Sequence, residues 1–135
     1  MNIENLTSMS FWKRRKFLKS INALDLVPIP LVRHELTSEG LVKLIIPRFK
    51  NKILIQLFTG NRRSPEFKIS LDEIGSHVWM LIDGEKSAGE IAVELLKIFE
   101  NKGLKLDSPE ERVVAFISRL YQEDYISFRQ VKLKG

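Results

Sequence analysis

The chain has 135 residues, 44% hydrophobic and 29% charged, with a formal net charge of +5 and no cysteine. That length and apolar content suit one domain with a real core, and the absent cysteines exclude disulfides, thiolate catalysis, cysteine-ligated zinc and thiolate-held iron–sulfur clusters. Apolar runs extend for only a few residues, so no transmembrane segment is expected.

The basic cluster Trp12-Lys13-Arg14-Arg15-Lys16-Phe17-Leu18-Lys19 could open a secretion signal, but Asn22, Asp25, Pro28 and Pro30 break up the stretch behind it. A cytoplasmic location is therefore expected. The charge is unevenly placed. Residues 1–70 hold 13 Lys/Arg against 5 Asp/Glu, whereas residues 71–135 hold 9 against 12.

Residues 1–10 are polar and without period. Over residues 11–26, Phe17, Ile21 and Leu24 can share a helical face that leaves Lys13, Arg14 and Lys16 largely outside it. Three readings stay open: a terminal helix packed on its own domain, a segment lying on a partner or an anionic membrane surface, and disorder. Val27-Pro28-Ile29-Pro30 is extended by its prolines. It leads into an expected strand at 31–36, a turn at Thr37-Ser38-Glu39-Gly40 and a second strand at 41–46 stopped by Pro47, together an antiparallel hairpin.

Residues 51–58 fit a strand and a helix equally, since Ile53, Ile55 and Leu57 alternate while Ile53, Leu54, Leu57 and Phe58 form a stripe. Thr59 to Pro65 reads as a basic loop. Phe67, Ile69 and Leu71 alternate with Lys68 and Ser70 as in a strand with one buried face. Helical spacing begins at residue 72 and runs to 82, with Asp72 and Glu73 as helix-start acids, and Asp83-Gly84 is a turn. Ser87 and Glu90 form a capping box for a second helix that Gly103 ends. Ser108-Pro109 with Glu111 predicts a capped third helix, and Val113, Val114, Ile117, Leu120 and Tyr121 point inward. Tyr125, Ile126 and Phe128 can return to the core, and residues 130–135 read as a loose end.

No catalytic constellation emerges. His34 and His77 are isolated, the glycines lack phosphate-loop spacing, and Glu110-Glu111 sit at a helix start, so neither an enzyme nor a cofactor or metal is expected. Binding remains, through a sheet edge that accepts an extended peptide or a helix that enters a major groove. The third helix offers Arg112 and Arg119 beside Glu110 and Glu111, with Glu123 and Asp124 just beyond it, and the second carries Glu90, Glu94, Lys97 and Glu100. A phosphate backbone would be repelled, which weighs against nucleic acid.

The order Leu71-Asp72-Glu73-Ile74-Gly75-Ser76, Val78-Trp79-Met80-Leu81-Ile82-Asp83-Gly84-Glu85-Lys86-Ser87 and Glu90-Ile91-Ala92 resembles the PqqD family, pyrroloquinoline quinone biosynthesis protein D. Glu94-Leu95, Val114, Phe116-Ile117, Leu120 and Tyr125-Ile126 continue the likeness, with Ile117 where the family usually has Leu.

The resemblance implies an α+β, winged helix-turn-helix-like domain, an antiparallel three-stranded sheet followed by three helices. It implies a non-catalytic role: binding the leader of a ribosomally made precursor peptide and presenting it to a modifying enzyme, commonly a radical S-adenosylmethionine enzyme. In such complexes the leader adds as a strand at the sheet edge and packs against the third helix. Carried over, the strand is 66–71 and the helix 110–122. Lys68, Ser70, Arg112 and Arg119 are then rim contacts, and Phe116 either fills core or lines the groove.

The domain so identified covers 30–128, preceded by a basic, amphipathic extension at 1–29 and followed by a tail at 129–135. An insertion at 48–65 carries Arg48, Lys50, Lys52, Arg62 and Arg63, either extending the binding face toward acidic partners or standing as a solvated loop. The rival readings are a nucleic-acid-binding winged helix and a structural adaptor subunit of a larger assembly.

Overall fold

The computed structural model describes residues 22–47 and 66–131. In chain order these form a 3₁₀ turn (Ala23–Asp25), strands β1 (Pro28–Pro30), β2 (Arg33–Leu36), β3 (Val42–Pro47) and β4 (Glu66–Ser70), helices α1 (Glu73–Leu81), α2 (Ala88–Asn101) and α3 (Pro109–Gln122), and strand β5 (Ile126–Phe128). The expected α+β class holds, with a three-stranded antiparallel sheet ahead of three helices. The chain divides into two compact units, Val32–Ser76 and Met1–Leu31 with His77–Gly135.

In the first unit the sheet order is β2-β3-β4. Thr37 builds the hairpin turn: its Oγ1 accepts from the Glu39 and Leu41 amides at 3.2 and 3.0 Å. Gly40 takes φ +83° there, which glycine adopts without steric cost. Val42, Leu44 and Ile46 alternate along one buried face of β3.

The expectation that Pro47 stops β3 is corrected by one residue, because Pro47 still pairs with Glu66. Thr37 donates to Leu41, so residues 33, 35 and 37 bond across to 45, 43 and 41. Pro47 lies beyond the start of β2, and its missing N–H leaves no rung unmade.

The end of the β3–β4 ladder is closed by a side chain. Leu71 N donates to Val42 O at 2.9 Å, but Val42 N donates to Ser76 Oγ at 2.9 Å. That hydroxyl in turn donates to Leu71 O at 3.4 Å. Asp72 caps α1 as its composition suggests, with Oδ1 accepting from Gly75 N at 2.7 Å.

The second unit holds the helical core. Val78, Trp79, Ile91, Leu95, Phe99, Val113, Ile117, Leu120, Ile126 and Phe128 are all buried, each such aliphatic or aromatic side chain contributing about 1.5–3 kcal/mol. Tyr121 and Phe128 stack tilted with centroids 4.7 Å apart. The Ser87–Glu90 capping box forms as expected. Gly103, at φ +72°, closes α2 with Leu104 N on Phe99 O and Gly103 N on Glu100 O, both 2.9 Å, a Schellman end.

Three expectations are corrected here. Ser108 adopts left-handed φ 53° and makes no side-chain cap, so Pro109 rather than a capping box starts α3. Pro28–Pro30 does not run into β2. It pairs instead with β5, Pro28 opposite Phe128 and Pro30 opposite Ile126, as a separate two-stranded sheet. Residues 130 and 131 are not loose, since the Gln130 amide donates to Asp25 O at 3.0 Å and accepts from Val27 N at 3.2 Å. Val131 is buried. The ambiguous segment 51–58, the amphipathic stretch up to Ile21 and residues 132–135 lie outside the described residues.

Candidate functional site

The hydrogen-bond phase of the two sheets decides which strand can accept a partner. In an antiparallel pair, residues alternate between those that exchange bonds with the neighbour and those whose N–H and C=O point away. The Leu71–Val42 bond sets this phase for β4: residues 67, 69 and 71 bond toward β3. Glu66, Lys68 and Ser70 therefore aim their N–H and C=O groups outward, about 6.8 Å apart. No strand among the described residues pairs with that edge.

β1 is built the opposite way. Leu31 N donates to Tyr125 O at 3.0 Å and Arg129 N to Val27 O at 2.8 Å, so residues 27, 29 and 31 face β5. Pro28 and Pro30 take the outward positions, where an N–H would otherwise stand unpaired. Proline is tolerated in a strand at such positions, and here it strips the edge of donors.

The side chains of β4 divide by face. Phe67 and Ile69 stand opposite Ile46 and Leu44 on the apolar face, with Phe67 41% exposed. On the other face Lys68 Nζ lies 2.8 Å from Glu35 Oε1, and Arg33 Nη2 lies 2.7 Å from Glu66 Oε2. Both ion pairs reach across β3, whose outward-facing Ile45 is only 7% exposed between them. The hydrogen bond from Lys68 holds the Glu35 carboxyl below its ordinary range.

Of the sequence-predicted contacts, Lys68 and Ser70 thus share one face of β4. Arg112 and Arg119 lie in the other unit, both exposed on α3. Arg112 is turned back on its own helix start, its Nε donating to Asp107 O at 2.8 Å. Phe116 is half-buried beside the core stripe of Val113, Ile117 and Leu120. Arg48, Lys50, Lys52, Arg62 and Arg63 lie outside the described residues.

Sequence reasoning starts the strand at Glu66 but does not count that residue among the contacts, although its outward main chain and its ion pair with Arg33 belong to the same edge. The alternation Phe67-Lys68-Ile69-Ser70 gives the faces of a strand, and the phase of its hydrogen bonds needs the register.

The Asp83-Gly84 turn is tightly built. Asp83 Oδ1 accepts from the Glu85 and Lys86 amides, both at 2.9 Å, and Oδ2 meets Lys86 Nζ at 2.8 Å. Those bonds lower the Asp83 pKa to about 2. His77 sits against Phe99 with centroids 5.9 Å apart, and its Nε2 is 3.1 Å from Lys102 Nζ. Among the described residues no group of His, Asp and Glu is arranged to hold a metal ion, and no helix is long and apolar enough to cross a membrane.

Residues 64–126 match the protein family described as Coenzyme PQQ synthesis protein D (PqqD). That span takes in β4, all three helices and the start of β5. No curated protein and no solved structure matches the chain.

Proposed function

From the membership of the chain in the PqqD family, carried by residues 64–126, we propose that this protein is a non-catalytic, peptide-binding accessory. It binds the leader segment of a ribosomally made precursor peptide along β4 and presents the peptide to a modifying enzyme, of the radical S-adenosylmethionine class or another. The domain doing so is taken as residues 30–128, with 48–65 inserted and acting in the cytoplasm. The observation that carries the reading is the outward main-chain edge of Glu66, Lys68 and Ser70, which no strand among the described residues covers. An added strand draws affinity from such groups with little demand on its own sequence, while neighbouring side chains set its register.

Lys68 and Ser70 then flank the peptide on one face, with Phe67 and Ile69 meeting it on the other. Arg112 and Arg119 stay assigned through the family resemblance alone, and the reading does not depend on them.

The test is a titration with labelled leader segments of precursor peptides encoded beside the gene, at fixed salt. Lys68→Pro removes an outward N–H and no β3–β4 rung. It should weaken leader binding about tenfold, one main-chain hydrogen bond's worth, whereas Lys68→Ala should bind nearly as the parent. Equal binding by Lys68→Pro and Lys68→Ala, or no saturable binding of any leader with or without the neighbouring enzyme, overturns the proposal.

A further inference from the structure

Among the described residues no strand covers the outer edge of β4, that edge is self-complementary, and we propose that it pairs with β4 of a second copy of this chain in one defined register. Two copies related by a twofold axis can join antiparallel only where the outward residues 66, 68 and 70 meet one another. Centring the axis on Glu66 or on Lys68 places like charges face to face. Centring it on Ile69 or Ser70 drives each strand past residue 70 into the other copy's Asp72 and the start of its α1.

Centring it on Phe67 avoids both conflicts over residues 66–68, while Ser70 falls opposite residue 64 of the second copy, outside the described residues. Glu66 then bonds the main chain of the second copy's Lys68, and Lys68 that of the second copy's Glu66, so opposite charges stand directly across the seam. The in-chain ion pairs Arg33–Glu66 and Lys68–Glu35 extend this into an alternating row, Arg33, Glu66, the second copy's Lys68 and its Glu35. Phe67 meets its own copy at a non-hydrogen-bonded position, where side chains approach most closely. That contact covers an aromatic ring which the isolated chain leaves 41% exposed.

Pairing of strands this short buries little surface, and the dimer belongs to the weak, transient class. If β4 is also the leader-binding edge, the dimer withholds that edge from the peptide, which must displace the second copy to bind. The withholding rests on the peptide-binding function; the self-pairing does not.

The absence of cysteine from the chain supplies the test. Phe67→Cys places two thiols across the axis with Cα atoms about 4.5 Å apart, within disulfide range. Ile69→Cys places them about 13 Å apart, out of range. Mild oxidation should link Phe67→Cys into dimers and leave Ile69→Cys monomeric.

Sedimentation of the parent should show reversible dimerisation with a dissociation constant between about 1 μM and 1 mM. Glu66→Lys and Lys68→Glu should each be monomeric, while an equimolar mixture of the two restores dimers because the pairs across the seam become opposite again. A parent that stays monomeric at about 1 mM, an Ile69→Cys that links as fast as Phe67→Cys, or a mixture that fails to associate overturns the dimer.

The oxidised Phe67→Cys dimer should fail to bind a leader that its reduced form binds. If the linked dimer binds leader as well as the reduced chain, the dimer stands and the claim that it withholds the edge falls. If no form binds leader, the peptide reading fails while the crosslinking result still decides the dimer.

Discussion

The outer main-chain edges of the two sheets are built in opposite ways, the one on β1 running from a fully buried Pro28 to an exposed Pro30 and the one on β4 carrying exposed Glu66, Lys68 and Ser70. β1 is a proline-alternating strand whose outward positions, Pro28 and Pro30, carry no N–H, and it is sewn to the C-terminal segment through β5 and Gln130. β4 presents Glu66, Lys68 and Ser70 with donors and acceptors intact. An unguarded edge invites unwanted pairing, and proteins ordinarily blunt it with proline, charge or cover. One edge here is stripped of donors and the other keeps them, with Glu66 and Lys68 as its own charged side chains, each paired across β3, which is the pattern of an edge retained for use.

Substitutions can break that contrast, the largest effect coming from the inward positions of β4. Ile69→Pro removes a rung to β3 as well as a half-buried side chain and should cost about 3 kcal/mol or more, read as loss of cooperative unfolding in urea. Lys68→Pro, one residue away, should cost under about 1 kcal/mol because its N–H points outward. Equal costs at the two positions would refute the hydrogen-bond phase assigned to β4.

Gln130→Ala cuts the amide that joins Val27 and Asp25 to the chain end and should destabilise by about 1–3 kcal/mol in the same assay. Acid acts on this stitched unit at a different place. The Asp83 pKa is lowered to about 2 from 3.8, so its contribution is complete above about pH 4 and is lost as pH falls toward 2. Asp83→Asn should flatten stability against pH across that window, by about 1 kcal/mol at most for so exposed a group.

Pro30→Thr has the smallest effect on stability, about 0.4–1 kcal/mol through a less restricted unfolded chain. It restores an outward donor on β1, and light scattering should detect new association at high concentration. Unchanged association would mean that the prolines do not guard that edge.

Much of this arrangement is legible in the sequence, and the exceptions share a cause. The β4 alternation, the Asp72 and Ser87 caps and the Gly103 stop are local, each decided within a few residues by backbone and side-chain chemistry. The prolines of β1 announce an extended segment. Its partner, β5, lies about a hundred residues on, and nothing local in either segment names the other. The Ser108 cap fails for a related reason: the serine-proline-acid spacing is right, but the backbone enters α3 through a left-handed residue that turns the hydroxyl away. At the candidate site the alternation shows the strand, while the outward phase of Glu66, Lys68 and Ser70 becomes visible only through the register.

The Ser76 hydroxyl makes the last rung of the β3–β4 ladder from a residue of α1. The Val42 amide is therefore protected only when the strand is laid down and the first turn of the helix is wound. Its hydrogen-exchange rate should report the opening of both elements at once, slower than a frayed strand end and matched to the amides of α1 rather than to those of the hairpin turn. Ser76→Ala would uncouple them, leaving Val42 to exchange as an ordinary terminal residue. The end of the β3–β4 ladder and the first turn of α1 should therefore open together, tied by one hydroxyl group.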